Sequence, residues 1–512
     1  MARKREKRVV HAAADGTATA EAVQAGGRSY GSASYRSYVL GVLTLVYTLN
    51  FIDRNLLAVI AQPVINAFDL SDSQYGFLNG PPFALFYALM GIPIAILADR
   101  YNRVAIIALC IAVWSVMAAL CGFATSFLFL LVARVGVAIG EAGCTPPANS
   151  VIGDYFAPRS RTGALGIYAT GVTIGGALSN AFGGPIATAL SGVAMQSWLS
   201  GMGWVWAVNA LDWSQVEGWR IAFVVIGAPG ILVALLVALT VKEPPRGYSD
   251  APGTPRLERA GFGETLRELA TKWSFWTMTL GASLTALVGY GLGGFQAPMA
   301  QRVHGIPPGE FALAFGVPLA LSSAVGTFLG GFLAERLTPR SHSAVCWLPA
   351  VGMLLSIPLY EVAFFLPTDQ LGLALVLWCA GAACHYFYLG SQYTIGQGVV
   401  SARSRASAIA ILLLCVALIG NGLGPQIVGW MSDFYMGMQI ESSGMGDVLN
   451  QEICRARDLS SLPEAQQLVC RSAYGEGLRL SMATTTLIFL PAAALFAISG
   501  LFYRKDLVAR SH

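Results

Sequence analysis

The sequence predicts an all-α membrane protein whose twelve transmembrane helices form two pseudo-symmetric six-helix bundles, and three observations carry that prediction. Of 512 residues, 55% are hydrophobic and only 12% charged, with a mean hydropathy of +0.59; an average soluble domain is roughly a quarter charged. Apolar stretches of about 20 residues, enough to cross a bilayer, recur along nearly the whole chain and leave no room for a separate soluble domain. The two halves also repeat each other. AILADRYNR (95–103) after the second span matches GFLAERLTPR (331–340) after the eighth, and RSRTGALGI (159–167) matches RSRASAIAI (403–411), 244 residues later. Such a repeat places a substrate site near the midplane between two bundles.

In chain order, residues 1–36 begin MARKREKR and continue small, polar and Gly-rich, without the apolar core of a cleavable signal. They read as a disordered cytoplasmic tail. Hydropathy with turn and charge signals places spans near 38–64, 74–98, 104–123, 126–153, 163–190 and 219–241, the first bundle (37–241), and near 274–301, 309–335, 343–366, 371–397, 405–434 and 478–502, the second (273–503). Between them lies a linker, 242–272, rich in Pro, Gly and charge, whose GETLRELATKW end fits an amphipathic helix at the membrane interface. Residues 504–512 form a second cytoplasmic tail. Lys and Arg gather in alternate connections, whereas 65–73, 124–125 and 367–370 contain none, so both termini are expected on the cytoplasmic side of the plasma (inner) membrane.

The net charge of +4 follows that topology and does not point to nucleic acid. Seven of nine cysteines lie in spans as small apolar residues. Cys454 and Cys470 instead share the long outer segment 435–477, where an oxidising compartment permits a disulfide and the spacing leaves bonded and free thiols both open. A second outer segment, 191–218, carries Trp198, Trp204, Trp206 and Trp213 and suits the headgroup level.

A charge at the centre of a spanning helix costs about 2.5–3.5 kcal/mol on insertion scales, so such residues are functional candidates. Asp53 and Arg54 interrupt LNFIDRNLLAVI in helix 1, with Asn50 one turn earlier. Arg134 and Glu141 lie seven residues apart in helix 4, on one face and roughly 10 Å apart along the axis. These four either neutralise one another as structural pairs or form a proton switch, in which a carboxylate released from its arginine takes up a proton. The arginines can instead hold an anionic headgroup. His385, in CHYFYLGSQY, falls opposite Glu141 at the 244-residue offset. It is either a hydrogen-bonded packing residue or a substrate or proton ligand. Asp99, Arg100, Arg103, Glu335 and Arg336 suit a cytoplasmic gate whose ion pairs join the bundles while the inside is closed; ordinary topology-setting charge is the alternative. Glycines at 171, 175, 176, 183 and 184, and at 420, 422 and 424 beside Pro425, read as moving seams.

AILADRYNR resembles the loop motif of major facilitator superfamily transporters, with Ala95 and Asn102 in place of its usual glycines. A finer resemblance, to the spinster-like family, is carried by NFIDR (50–54), LADRYNR (97–103), RVGVAIGEAG (134–143), DYFAPRSRTGALGI (154–167), GWRIAFVVIGAPG (218–230), KEPPRG (242–247) and GNGLGPQIVGWMSD (420–433). The two long outer segments depart from the family core. The resemblance implies neighbouring helices 1 and 4 with Arg54 or Arg134 paired to Glu141 or Asp53. It also implies a role for Asp53 and Glu141 in proton coupling, and an amphipathic anion such as a lysophospholipid or sphingolipid-like molecule as substrate. The chain shows no GxxxxGKS or GxxxxGKT, HExxH or GxSxG pattern, and GYGLGG (289–294) sits mid-span, so no enzyme, cofactor or metal is expected. The expectation is a proton-coupled secondary transporter working by alternating access, a monomer whose partners are substrate, protons and the lipid bilayer. A polar organic anion or drug-like cargo, or a non-transporting membrane receptor, is the alternative.

Overall fold

The computed structural model describes residues 29–209, 212–249, 262–401 and 403–508. Most of the expected N-terminal tail, linker residues 250–261 and the last four residues lie outside the described residues. Twelve long helices carry the fold: α1 Ala33–Val59, α2 Asp72–Arg100, α3 Arg103–Cys121, α4 Phe127–Tyr155, α5 158–189, α6 Gly218–Thr240, α7 Trp273–His304, α8 Pro308–Leu337, α9 Ala344–Phe365, α10 Thr368–Gly398, α11 Arg405–Ser442 and α12 Glu464–Asp506. Eleven are long and apolar enough to cross a membrane. The other, α5, is diluted by glycine, and the glycines let it lie against α1: a Cβ on Gly175 would stand 2.5 Å from the Thr48 carbonyl oxygen. The start of α1 meets the ends of α4 and α6 through Tyr35, whose hydroxyl donates to the Thr240 carbonyl, and the end of α12 meets the start of α7. Both described chain ends therefore share one face, called the inner face below.

The outer segments differ most from expectation. Residues 435–477 are not a loop between two membrane-bounded helices: α11 runs on to Ser442 and α12 already begins at Glu464. The extensions are 8 and 14 residues beyond the predicted ends at 434 and 478, or about 12 and 21 Å at 1.5 Å per residue. Hydropathy marks where the bilayer ends, and these polar helices continue past it. A short helix, Gln451–Arg455, lies between them, and Cys454 is disulfide-bonded to Cys470. The Trp-rich segment likewise contains a helix, Gly192–Gly201.

The bundles touch along their outer halves. A Cβ on Gly80 of α2 would meet the Gly422 carbonyl of α11 at 2.5 Å, and one on Gly184 of α5 would meet the Pro308 carbonyl of α8 at 2.7 Å. Where they meet, α5, α8 and α11 each widen into a π-helical turn, at Ser179–Gly183, Ala312–Gly316 and Val416–Gly422, a distortion frequent at functional sites. Of the glycines expected at moving seams, Gly184 and Gly422 lie between bundles, whereas Gly171, Gly175, Gly420 and Gly424 pack within one.

At the inner face each bundle is braced internally. Arg103, 1% exposed, donates to Asp154 (2.5 Å), Glu243 (2.6 Å) and the Pro244 carbonyl (2.9 Å). The KEPPRG stretch thus folds back on the α2–α3 connection, where Arg246 also donates to the carbonyls of Ala98 and Tyr101. Arg103, a candidate for the gate expected while the inside is closed, here spends its donors on Asp154 of the first bundle and on Glu243 and Pro244 at the start of the linker. In the second, Asp506 accepts from the Ser274 backbone N–H and hydroxyl. The linker helix Phe262–Leu269 is clamped by Glu268, which accepts from Ser401 and Ser404. Burial would push the Glu268 carboxyl up, but hydrogen bonds from Ser404 and Ser401, with Lys272 nearby, outweigh it and hold it below the usual glutamate range. Its charged form is therefore favoured by folding, and the clamp contributes fully at neutral pH and is lost as pH falls through that depressed value. Glu268→Ala is expected to speed amide exchange over 262–269 several-fold at neutral pH. In the wild type the same protection should decline on acidification, a step that Glu268→Ala should lack.

Candidate functional site

The charged residues of the first bundle come together inside it, and one pairing is selected from those the sequence allowed. Arg54 of α1 donates from Nε (2.9 Å) and Nη2 (2.7 Å) to the same Glu141 oxygen of α4. The Glu141 side chain is sealed, at 0% exposure, while Arg54 keeps 16%. Aromatic rings surround the guanidinium: its Cζ lies 4.9 Å from the ring centre of Phe51, 5.3 Å from Phe83 and 4.7 Å from Tyr87, distances at which a cation is attracted to a ring face.

Asp53 and Arg134 are buried beside this pair but form no ion pair among the described residues. Arg134 lies 5.1 Å from the Phe83 ring centre and within electrostatic reach of both acids. One buried atom each on Asn50, Asp53, Arg134 and Glu141 has no hydrogen-bond partner in the protein. Such groups are costly in a structural cluster and are expected where partners exchange during function.

His385 does not join the cluster. It packs inside the second bundle, 4.8 Å from the Phe489 ring centre, against Gly289 of α7, where a Cβ would meet the ring at 2.9 Å. From the second bundle, Tyr290, which is 41% exposed, lies within electrostatic reach of Arg54. It belongs to GYGLGG, a stretch with a place in the site though not as a nucleotide loop.

The outer face holds a second cluster that sequence reasoning missed. Arg302, at the end of α7, donates to both carboxylate oxygens of Asp72 at the start of α2, each at 2.7 Å, and to Gln62 at 2.7 Å. Ser432 of α11 donates to the same Asp72 at 2.6 Å. The Asp433 carboxylate accepts from the backbone N–H groups of Asp72 (3.2 Å) and Ser73 (3.0 Å), so an acid of one bundle sits on the positive helix end of the other. The Tyr75 hydroxyl adds a bond to the Gly294 carbonyl at 3.1 Å. Every one of these links except Gln62 joins α2 to the second bundle, and Gln62 follows α1. The sequence carried no distinct signal for it, because Asp72 and Arg302 both lie at span ends and the outer segment 435–477 carries arginines as well. At the inner face, Asp99, Arg100, Glu335 and Arg336 are exposed and form no ion pair between bundles among the described residues. The charged contacts between bundles described here thus lie at the outer face.

The chain matches the Major Facilitator Superfamily over residues 43–425. It is 32% identical to an MFS-type efflux pump of Mycolicibacterium smegmatis over 394 residues, 77% of this chain and 84% of that one. It is 25% identical to Protein spinster of Drosophila melanogaster, covering 92% of this chain and 77% of the relative. A crystal structure of a bacterial homolog to the human lysosomal transporter spinster, inward-facing and unoccupied, superimposes with a TM-score of 0.88 at 53% identity, over 94% of this chain and 100% of that one. Its inward-facing occupied counterpart gives 0.86 at 51% identity. The sealed Arg54–Glu141 pair and the closed outer clasp therefore belong to a membrane transporter of the major facilitator superfamily, a member of its spinster-like family.

Proposed function

We propose that this transporter is a proton-coupled secondary carrier of an amphipathic organic anion, such as a lysophospholipid or sphingolipid-like molecule, working by alternating access in the plasma (inner) membrane with both termini cytoplasmic. The observation that carries the reading is the Arg54–Glu141 pair, sealed at the acid and partly open at the arginine. A proton delivered to Glu141 removes the charge that holds Arg54 and frees a forked donor for an anionic headgroup. Loss of that proton restores the pair and displaces the headgroup. Asp53, buried with no ion pair among the described residues, is the second group able to carry a proton, and Arg134 is the cation able to pair with its carboxylate once the proton has left. The rings of Phe51, Phe83, Tyr87 and Tyr290 suit an apolar tail. A drug-like cargo is the second reading, supported by the relative named an MFS-type efflux pump.

Alternation between faces requires the outer clasp to break, and both sides of the Asp72–Arg302 pair are buried, at 2% and 4% exposure. Removing one partner of a buried pair costs about 3–5 kcal/mol, most of the roughly 5.5 kcal/mol that carries a two-state equilibrium from 1:99 to 99:1.

In proteoliposomes with an imposed pH gradient, lysolipid flux is expected for the wild type. Glu141→Gln should retain binding within a few-fold and lose gradient-driven accumulation; full retention of coupled flux would remove Glu141 from the mechanism. Asp72→Asn should shift spin-label distances between the outer ends of α2 and α11 towards a longer population. Unchanged distances would show that this pair does not hold the outer face closed.

A further inference from the structure

The outer face carries a cavity that the proposed transport cycle does not use. It encloses about 520 Å3 beneath the α11–α12 connection and is lined by Arg302, Arg455, Arg457 and Arg471 against a single acid, Asp458. That acid already accepts from the Ser460 backbone N–H at 2.8 Å. Such a volume lies within the usual range of small-molecule sites, and with Arg302 paired to Asp72 and Arg457 to Glu217 the cationic excess of the lining rests on Arg455 and Arg471.

The arginines are held together covalently. Arg455 and Arg471 each directly follow a cysteine of the Cys454–Cys470 bridge, whose Cα atoms are 4.6 Å apart. With about 3.8 Å per residue step, the two arginine Cα atoms can be no more than roughly 12 Å apart. The bridge therefore keeps the backbones that carry the two arginines close together in the cavity wall. Their donors are only partly used. Arg455 gives Nη2 to Gln451 at 3.0 Å, while its buried Nε has no partner. Arg471 is exposed and forms no ion pair among the described residues. Arg457 reaches Glu217 only at 3.4 Å and is 71% exposed. Arg302 spends three N–H groups on Asp72 and Gln62 of the five a guanidinium carries, and its Cζ lies 3.7 Å from the centre of the Tyr474 ring.

We infer that this cavity is a binding site for a phosphate group, either free or as the headgroup of a lysolipid. Guanidinium forks fit the tetrahedral oxyanion bidentately, and the disulfide keeps the backbones that carry two of them close together. The site stands apart from the Arg54–Glu141 pair and does not depend on which cargo that pair serves.

Arg302 also closes the outer face, so the test leaves it intact. Full-length protein in zwitterionic nanodiscs is titrated with inorganic phosphate, lysophosphatidic acid or neutral monoacylglycerol, and amide exchange over 451–474 is followed as a local readout. Protection is expected to saturate with at least one phosphate compound and to be absent with monoacylglycerol. Protection by inorganic phosphate alone identifies a free anion, by lysophosphatidic acid alone a lipid headgroup, and by both the shared phosphate chemistry. Arg471→Ala should weaken the midpoint about tenfold or more, the scale of one charge-assisted hydrogen bond. Arg340→Ala, which removes the same charge at the inner face, should leave it unchanged. The proposal is overturned by no protection with either phosphate compound, by equal protection with the neutral lipid, or by equal midpoint shifts in the two variants.

Discussion

A charge buried in an apolar span must find a partner or carry a steep cost, and the Arg54–Glu141 pair is where this chain meets that constraint. It ties α1 to α4 through the interior of the first bundle, where an apolar contact would have sufficed for stability alone. The pair is asymmetric. Its acid is sealed among helices, while its arginine retains access and is ringed by aromatic faces. An incoming anion can therefore reach the cation, whereas the acid is relieved only by protonation or by losing its partner. Asp53 and Arg134, buried in the same bundle without an ion pair among the described residues, supply alternative partners.

The remaining charges divide by face. On the outer side, they reach across from one bundle to the other: Arg302 to Asp72, and Asp433 to the helix end that Asp72 begins. On the inner side, the buried ones are turned inward upon each bundle. Arg103 is consumed by Asp154 and Glu243, and Asp506 by Ser274. Bundles braced within themselves and clasped to one another at a single face can rock as rigid bodies, because breaking the clasp leaves each bundle's own bonds intact. The wide turns in α5, α8 and α11 lie where such a motion bends the helices.

Much of this was legible in the sequence. Hydropathy reports a property of each short segment, and it placed eleven of the helices as well as the Gly-rich twelfth. The internal repeat required two bundles, and the four charges of the first bundle stood out because an apolar background makes any charge conspicuous. Hydropathy did not find the helical extensions around 435–477, since a helix needs only its own backbone bonds and can outrun the bilayer that sets the apolar pattern. Nor could it find Asp72 and Arg302: both sit at span ends, where charge is ordinary.

The sequence by itself determined that this chain spans a membrane in two related halves with acid and base inside the first, because bilayer insertion acts on local composition. Only the tertiary structure decided that Arg54 holds Glu141, that Arg103 belongs to one bundle and that Arg302 joins two. Asp72 and Arg302 are 230 residues apart in the chain, yet their side chains meet at 2.7 Å. A salt bridge depends on ångström separations, and those are set by helix packing across the whole fold, which no local stretch of sequence encodes.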